Sequence, residues 1–292
     1  MQHEHVQGDN FNIYNGDCVL GLSNYVLDES VGYSIFSPPF ASLYTYSDSP
    51  FDMGNTQNDD EFYEQFRYLV KELYRVMIPG RDVSFHCMLL PSTIQHNGVI
   101  GLRDFRGDLI RIFQDEGFVY HSEVVIWKDP VVAMQRTKAI GLLYKQLKKD
   151  SCMSRQGIPD YLITMRKPGA NPQPVTKTPE SFPVGKWQRY ASPVWMDINP
   201  SDTLQYTSAR EHDDEKHICP LQLQVIERGI ELWSNPGDLV LSPFMGIGSE
   251  GHVALKMNRR FVGFELKKSY FKQASSNLRN VSQLNSLFGK DL

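Results

Sequence analysis

The sequence has few cysteines, no long apolar run and little net charge. Its four cysteines are scattered without a C-x-x-C pair, which argues against a zinc site or a disulfide framework and fits a reducing cytoplasm. Apolar stretches such as GDLVLSPFMGIG are too short to span a bilayer, and the polar start MQHEHVQGDN lacks the apolar core of a secretory signal. With 41% apolar and 22% charged residues, the chain is neither disordered nor of low complexity. A cytoplasmic globular protein is predicted.

Charge is distributed unevenly along the chain. Residues 128–189 hold twelve Lys or Arg and four acids, a charge of +8, which leaves −12 for the rest of a chain whose total is −4. A basic block on an acidic protein is typical of a surface that binds a polyanion. The alternative is a solvated surface with a chance imbalance.

Hydrophobic patterns predict alternating strands and helices. FNIYN and VGYSIF are strand candidates, residues 59–77 form an amphipathic helix that ends at Pro79-Gly80, and DVSFHCMLL is a strand. A helix over residues 101–117 and a strand over 118–130 follow. From about residue 217 a helix, the strand DLVLSPF, a glycine turn with a helix, the strand RFVGFEL and a closing helix continue the pattern. The predicted fold is α/β, a doubly wound sheet with helices on both faces.

Residues 129–190 interrupt this alternation and predict an insert. We expect a catalytic half over residues 1–128, a recognition insert over 129–190, and a cofactor-binding half over 191–292. In the insert, QRTKAIGLLYKQLKKD suggests a basic helix against phosphate, and SRQGIPDYLITMRKPG a segment that presents side chains to base edges.

A glycine-spaced turn, Gly246-x-Gly248, joins the strand LVLS to a helix. Glycines there allow close approach of a ligand to backbone, and Glu265 at the end of the next strand is placed to accept ribose hydroxyls. The stretch lacks the G-K-[ST] of a phosphate cradle and the third glycine of the dinucleotide fingerprint. A nucleoside cofactor without phosphates is favoured over a plain strand–helix turn.

Five motifs together resemble the amino-group DNA methyltransferases. SPPF at 37–40 resembles their [DNS]-P-P-[YFW] catalytic motif, and SPFMGIGSEGHVAL resembles their D-P-F-x-G-x-G-T cofactor motif, with Ser242 in place of the usual Asp. NGDC, ELYRVMIPGRDVSF and KHICPLQLQVIERGIELWSNPGDLVL are similar to their flanking stretches. The catalytic motif precedes the cofactor motif, as in the β group, and this order argues against protein-glutamine methyltransferases. The insert falls where that group has its target-recognition region.

The resemblance implies S-adenosylmethionine as methyl donor and an exocyclic amine of a flipped base as acceptor. Ser37 Oγ and the Pro38 carbonyl would accept the two amine N–H groups, Pro39 would stiffen the loop, and Phe40 would stack on the base. Cofactor-binding roles are implied for eight residues: Asp17, His217, Pro220, Phe244, Gly246, Gly248, Ser249 and Glu265. Asp17 is implied to lie near the adenine, and the alternative interpretation is that it is only a turn residue. His217 is implied to lie near the methionine end, and the alternative is that it caps the helix that follows.

In the insert, Arg136, Lys138, Arg155 and Arg166 are candidate DNA contacts. Four of its aromatic residues are interpreted as packing residues rather than stacking platforms: Tyr144, Tyr161, Trp187 and Tyr190.

Several alternatives stay open at this point. Serine at the first catalytic position is more typical of N4-cytosine enzymes, so cytosine is slightly favoured over N6 of adenine. An RNA methyltransferase and a non-catalytic DNA-binding module are the other hypotheses. The resemblance further implies double-stranded DNA as partner, a homodimer, and a bacterial or phage restriction–modification context, with or without a partner nuclease.

Overall fold

The computed structural model of the chain describes residues 4–40, 53–56, 58–92, 94, 98–132, 144–205 and 220–288. These residues form one large sheet with helices on both faces and a separate two-stranded hairpin. The strands are β1 Glu4–Gln7, β2 Phe11–Asn15, β3 Val31–Phe36, β4 Met77–Met88, β5 Leu90–Ser92, β6 Gly101–Arg103, β7 Val119–Ile126, β8 Asp160–Arg166, β9 Val194–Trp195, β10 Leu239–Ser242 and β11 Arg260–Glu265. The helices are α1 Cys18–Tyr25, α2 Asp59–Val76, α3 Phe105–Asp115, α4 Tyr144–Leu147, α5 Val184–Tyr190, α6 Leu223–Trp233, α7 Ser249–Lys256 and α8 Lys268–Phe288.

The large sheet has the strand order β1-β2-β11-β10-β3-β4-β8-β7-β9. Neighbours from β2 to β4 pair in parallel, β8 runs antiparallel to both β4 and β7, and β1 runs antiparallel to β2. The β5–β6 pair forms the hairpin. The predicted doubly wound α/β fold is therefore observed.

The centre of the sheet is the point where the strand order reverses. From β3 the chain passes through α2 to β4 on one side, whereas from β10 it passes through α7 to β11 on the other. β3 and β10 are parallel neighbours, with Val240 opposite Tyr33 and Leu241 opposite Ser34. Their carboxyl ends therefore lie at one edge, where doubly wound sheets bind ligands.

Two apolar layers hold the helices against the sheet. One face is covered by α1, α2 and α3, and the other by α6, α7 and α8. The predicted apolar face of α2 is fully buried at Phe62, Phe66, Leu69, Val70 and Leu73. Among the helices of the described segments, none is long and apolar enough to cross a membrane.

The helix predicted over residues 101–117 is shorter than expected. Its first residues form β6, and Asp104 then caps α3 by accepting a hydrogen bond from the Gly107 N–H at 3.0 Å. The acceptor at Asp104 satisfies an otherwise unpaired N–H at the helix start, so the helix begins at Phe105. Periodicity alone does not show this boundary.

The stretch SRQGIPDYLITMRKPG was predicted to face DNA bases, and this prediction is wrong for the part of it that forms a strand. Residues 160–166 of the stretch form β8, in which Leu162, Ile163, Thr164 and Met165 are buried between β4 and β7. A run of four apolar or β-branched residues is suited to a strand buried on both faces. The segment from 129 to 190 is therefore not a separate insert throughout, because its residues 160–166 form a strand of the large sheet.

A buried ion pair ties the amino ends of β4 and β10 together. Arg81 is 1% exposed and pairs with Asp238, which is 9% exposed. The Arg81 guanidinium also donates hydrogen bonds to the carbonyls of Gly32 at 2.9 Å and Gln173 at 3.0 Å. A Cβ on Gly32 would lie 2.7 Å from Arg81 Nη2, so only glycine leaves room for the guanidinium. This pair stabilises the central strands away from the ligand edge.

We expect Asp238→Asn to lower the free energy of unfolding by about 3–5 kcal/mol, because the buried Arg81 charge loses its counterion. Urea unfolding measures the effect. Arg111→Ala is the control, since the Arg111–Asp108 pair has a guanidinium that is 60% exposed and exposed pairs contribute at most about 1 kcal/mol. Equal losses in the two variants would contradict the structural role of the Arg81–Asp238 pair.

Candidate active site

The two predicted motifs lie side by side at the ligand edge of the sheet. The SPPF stretch follows β3 directly, and the stretch 243–248 follows β10 directly. The rings of Phe36 and Phe244 lie 5.8 Å apart, and the ring of Phe40 lies 6.2 Å from that of Phe105 on α3. Ser37 and Phe40 are half-buried, so both are accessible from this edge. The structure therefore brings together residues that are about 200 positions apart in the chain.

The glycine turn has the backbone geometry that a cofactor loop needs. Gly246 and Gly248 have φ angles of +52° and +86°, in the region that favours glycine. A Cβ on Gly248 would lie 3.2 Å from the Ala274 Cβ, whereas one on Gly246 meets nothing within 4 Å. Gly248 is thus required by packing against α8, and the space in front of Gly246 is open to a ligand.

Glu265 lies directly beside this turn. Its Oε2 accepts a hydrogen bond from the Gly246 N–H at 3.0 Å, and its Oε1 accepts one from the Lys267 N–H at 2.8 Å. The carboxylate therefore sits at the end of β11 and next to the glycine turn. This is the place from which a carboxylate accepts ribose hydroxyls in folds of this kind.

The chain turn at Asn15–Asp17 packs against the end of β11. The Asn15 side chain donates to the carbonyls of Glu265 at 2.8 Å and Leu266 at 3.0 Å, and the Gly16 N–H donates to the Glu265 carbonyl at 3.0 Å. Asp17 Oδ1 accepts the Leu20 N–H at 2.8 Å and caps α1. The turn-residue interpretation of Asp17 is thus observed, and Asp17 follows β2 at the edge of the sheet where Glu265 ends β11.

The remaining donor set fits a nucleoside sulfonium cofactor. Ser242 Oγ is buried and has no hydrogen-bond partner in the described part of the chain, which is unusual for a buried hydroxyl. Ser249 begins α7 and is 3% exposed, and Phe244 is half-buried at the turn. Pro220 is half-buried just before α6, while His217 lies outside the described residues. An apolar ring, a free hydroxyl and one carboxylate suit a ligand without phosphates.

A chain of polar side chains leads from Ser37 into the protein. Ser37 Oγ lies 3.1 Å from His86 Nδ1, and His86 Nε2 lies 3.1 Å from Asp160 Oδ2. Lys128 pairs with the other oxygen of Asp160. Burial alone raises the pKa of Asp160, but His86 and Lys128 outweigh burial and hold that pKa below its usual value.

Sequence reasoning missed His86 and Asp160. Each stands alone in an apolar strand, in SFHC and in PDYLIT. Only the antiparallel register, which places His86 opposite Leu162 and Met88 opposite Asp160, brings the two together. The signal that was available is a single His and a single Asp within buried strands, where an ionisable group needs a partner.

The four candidate DNA contacts fall into three groups. Arg155 lies shortly before β8, at the ligand edge, and its pKa is lowered by burial. Arg166 ends β8 opposite Asp82, at the other end of the sheet, so its prediction as a DNA contact is not supported by its position. Arg136 and Lys138 lie outside the described residues.

The four aromatic residues of the insert that were interpreted as packing residues divide evenly. Tyr190 is buried and its hydroxyl donates to Glu231 at 2.9 Å, and Tyr161 packs under the Arg106 guanidinium at 4.8 Å, so both are packing residues as predicted. Tyr144 and Trp187 are 74% and 55% exposed, which does not agree with a packing role.

The fold and this site define a methyltransferase that uses S-adenosylmethionine. The chain superposes on TTHA0409, a protein of Thermus thermophilus in complex with S-adenosyl-L-methionine, with a TM-score of 0.68, 21% identity, and coverage of 92% of this chain and 93% of that one. It superposes on PvuII DNA methyltransferase, named as cytosine-N4-specific, with a TM-score of 0.66, 18% identity, and coverage of 96% and 93%.

The family model described as DNA methylase, which covers N6 and N4 enzymes, matches residues 34–276. The chain therefore belongs to the N6/N4 amino DNA methyltransferase family. This confirms the resemblance, the fold class, the enzyme class and the cofactor predicted from the sequence. The roles of individual site residues and the three-part division of the chain stay predictions.

Curated relatives agree with this family at low identity. The type II methyltransferase M.BglII of Bacillus subtilis is 24% identical over 88% of this chain and 66% of its own length. M.MjaI of Methanocaldococcus jannaschii is 24% identical over 83% of each chain. The chain thus spans just under two thirds of the length of M.BglII.

Glu250, in the first turn of α7, is buried and lies near Glu265. Burial, and to a smaller extent the Glu265 charge, raise its pKa from 4.5 to about 8. An acid with a raised folded pKa destabilises the protein as pH increases from its unfolded pKa to its folded pKa. We therefore expect stability to fall by roughly 2–3 kcal/mol between pH 6 and pH 8 because of this residue.

Thermal unfolding at several pH values tests this expectation. Glu250→Gln removes the titration, so the variant should keep its unfolding temperature from pH 6 to pH 8. Glu64→Gln, on the exposed face of α2, should follow the wild-type curve. A wild-type curve that is flat over this pH range would contradict the raised pKa.

Proposed function

We propose that this enzyme methylates an exocyclic amine of a base in duplex DNA, with N4 of cytosine as the favoured target and N6 of adenine as the alternative. The observation that carries the proposal is the position of Ser37. Ser37 directly follows β3, and the glycine turn follows the neighbouring strand β10 at the same edge of the sheet. This edge is where the cofactor binds in folds of this kind.

The exocyclic amine of a base is a poor nucleophile because its lone pair is delocalised into the ring. Two acceptors that take its N–H groups favour a tetrahedral nitrogen with an available lone pair. Ser37 Oγ and the Pro38 carbonyl supply these acceptors, and the fixed φ angles of Pro38 and Pro39 hold the carbonyl direction. Positioning of this kind lowers the barrier without a covalent intermediate.

Phe40 supplies the surface on which the base is held. A target base inside a duplex is out of reach of this edge, so it must be flipped out before methylation. The half-buried Phe40 ring contacts Phe105 and keeps part of its surface at the cleft. Stacking on an aromatic side chain contributes about 1–3 kcal/mol per base, enough to offset part of the cost of flipping.

Bound S-adenosylmethionine supplies an electrophilic methyl group, which leaves the sulfonium sulfur for the amine nitrogen while the sulfur keeps the bonding electrons. In our proposal Glu265 accepts the ribose hydroxyls, and Asp17 lies near the adenine amine. The turn residues Gly246, Gly248 and Ser249, with Phe244, form the floor of the pocket. Pro220 and His217 flank the methionine end, where Ser242 stands in place of the carboxylate usual in this family.

Cytosine is favoured by the identity of the first catalytic residue. Serine in this position is more typical of N4-cytosine enzymes, and PvuII methyltransferase, which shares the fold, is named cytosine-N4-specific. The family model includes N6 enzymes as well, which keeps adenine as the second candidate. A hydroxyl and a carboxylate both accept an amine N–H, so the base must be determined by experiment.

Topology supports a DNA-docking role for one part of the basic segment. The chain leaves the sheet after Ile126 at the ligand edge and returns to the same edge at Asp160. Residues 127–159, here named the edge excursion, carry seven Lys or Arg and two Asp. The exposed residues Lys145, Lys148 and Lys149 belong to it.

Three of the four basic residues that follow β8 in the predicted insert are instead engaged within the protein, and Arg189 is exposed. Lys167 donates to the Met77 carbonyl at 2.9 Å, Lys177 donates to the Ser234 carbonyl at 3.0 Å, and Lys186 pairs with Glu231. We therefore propose that the DNA-docking part of the predicted 129–190 insert is the edge excursion, with Arg155 among its phosphate contacts. A row of ammonium groups there neutralises DNA phosphates.

The biological setting of the proposed activity is DNA modification. Several relatives are named type II methyltransferases, and M.BamHII of Bacillus amyloliquefaciens, 40% identical over 65 residues, is named an orphan methyltransferase. A restriction–modification role in a bacterial or phage host is thus our proposal, with or without a nuclease. The homodimer expected from the β-group resemblance also stays a prediction.

Ser37→Ala should lower methyl transfer to duplex DNA by about 100-fold or more, because one amine acceptor is lost. Labelled methyl incorporation measures the rate, and mass analysis of the nucleosides distinguishes N4-methylcytosine from N6-methyladenine. Ser34→Ala is the matched control, since Ser34 lies on the same strand but is buried and donates to the Leu241 carbonyl at 3.1 Å. Full activity of Ser37→Ala, or preferred methylation of single-stranded RNA, would overturn the proposal.

A triple change of Lys145, Lys148 and Lys149 to alanine should weaken DNA binding and reduce the salt dependence of the dissociation constant. Each lost phosphate contact should lower the slope against log salt concentration by about 1. Fluorescence anisotropy at several salt concentrations gives the slope. Arg189→Ala, an exposed basic residue outside the edge excursion, should leave it unchanged. An unaltered slope in the triple variant would exclude this segment from the interface.

A further inference from the structure

We propose that His86 and Asp160 are positioning residues for Ser37, which direct its hydroxyl and receive the proton that the methylated amine releases. The inference rests on the proposed catalytic role of Ser37. His86 is 8% exposed on β4, and Asp160 is 3% exposed on the antiparallel neighbour β8. Each contact in the chain Ser37–His86–Asp160 measures 3.1 Å between the polar atoms.

Asp160 fixes which ring nitrogen of His86 carries the proton. His86 Nε2 lies 3.1 Å from Asp160 Oδ2 without the alignment of a hydrogen bond. An ionised carboxylate only accepts hydrogen bonds, so it favours a proton on Nε2, the ring nitrogen that faces it. The Nδ1 atom is then a bare acceptor for the Ser37 hydroxyl. A second acceptor, the His86 carbonyl, lies 3.4 Å from Ser37 Oγ on the same side. Both direct the Ser37 proton away from the cleft.

This orientation determines what Ser37 offers to the base. A serine hydroxyl has one proton and two lone pairs. If its proton pointed into the cleft, it would donate to the substrate and would not accept an amine N–H. With the proton held by His86, the oxygen lone pairs remain for the amine. The role proposed for Ser37 therefore depends on the tautomer of His86.

The same contacts provide a route for a proton. When the bond between nitrogen and the methyl carbon forms, the nitrogen carries one positive charge and must lose one proton. That proton passes to Ser37 Oγ as the original Ser37 proton passes to His86 Nδ1, so Ser37 ends neutral. The imidazolium that results is stabilised by the Asp160 carboxylate, and it returns its proton to water after the product leaves.

Lys128 completes the charge balance of the group. It follows β7 and pairs with the Asp160 oxygen that does not face His86. A carboxylate that is buried without a counterion has a raised pKa, so it would be protonated itself and could not act as an acceptor for His86. His86 and Lys128 together hold the pKa of Asp160 below its usual value, so Asp160 orients His86 as a carboxylate and not as an acid.

A purely structural role for His86 and Asp160 is the alternative, since both residues link β4 to β8. The chain contains a matched pair for this comparison. Ser84 Oγ and Thr164 Oγ1 link the same two strands through a buried hydrogen bond of 2.9 Å, and neither has a contact with Ser37 in the described structure. Loss of the Ser84–Thr164 bond therefore measures the effect of strand linkage alone.

The test compares four variants of the full chain. We expect His86→Gln and Asp160→Asn to lower kcat for duplex DNA by about 100-fold, with the Kd for S-adenosylmethionine within about twofold of wild type, as found when orienting groups behind a reactive residue are removed. The paired change Ser84→Ala with Thr164→Val should lower the unfolding temperature but keep kcat. Ser37→Ala reports on the site itself.

Nitrogen-15 NMR of histidine-labelled protein provides a readout independent of turnover. The His86 resonances, assigned by their loss in His86→Gln, should show a protonated Nε2 and a bare Nδ1 in the wild type. In Asp160→Asn the preference for this tautomer should be lost. A wild-type spectrum with the proton on Nδ1 would overturn the inference, whether or not Asp160→Asn yields folded protein.

The outcomes separate the two proposals. If Ser37→Ala keeps full activity, the assignment of the catalytic site falls, and the inference about His86 falls with it. If Ser37→Ala is inactive while His86→Gln and Asp160→Asn keep kcat within about threefold of wild type, only the inference falls. If all three lose turnover and the strand-linkage control does not, both proposals hold.

Discussion

Parallel pairing of β3 with β10 is the constraint on which the site depends. The register of Tyr33 with Val240 and of Ser34 with Leu241 means that both strands end at the same edge. The SPPF stretch and the glycine turn, which are far apart in the chain, then face one space. Because one face of these strands packs on α1, α2 and α3 and the other on α6, α7 and α8, a slip in register would disturb two cores at once.

The electrostatics of the edge follow from this arrangement. Glu265 is held by backbone N–H groups of the glycine turn and of Lys267, so its charge is fixed beside the pocket. Glu250 is buried close to it, and the cost of burying a second negative charge raises its pKa. The antiparallel strand β8 adds Asp160 behind Ser37, where Lys128 balances its charge. The pKa of Glu250, beside the glycine turn, is therefore raised, whereas the pKa of Asp160, behind Ser37, is lowered.

Much of the fold could be predicted from local sequence patterns. Most of what the sequence did not predict depends on contacts between strands that are far apart in the chain. The helix over residues 59–77 was predicted almost to its end because Phe62, Phe66, Leu69 and Leu73 repeat at the helical spacing. Glycine spacing and the SPPF motif predicted two loops that the structure brings to one edge of the sheet. The partnership of His86 with Asp160 was not accessible, since it depends on an antiparallel register between strands that are more than seventy residues apart. The position of Arg166 at the far end of β8 depends on the same register.

The edge excursion begins and ends beside the active site, at two adjacent strands that run in opposite directions. Its two ends are thus anchored like those of a hairpin loop, and no strand of the described sheet needs its interior for pairing. Changes in the length or composition of this segment beyond Lys128, which pairs with Asp160, leave the strands that carry Ser37 and Glu265 in place. If the edge excursion contacts DNA as we propose, one scaffold of this design would acquire new DNA sequence preferences by exchange of a single loop, while the chemistry of methyl transfer stays the same.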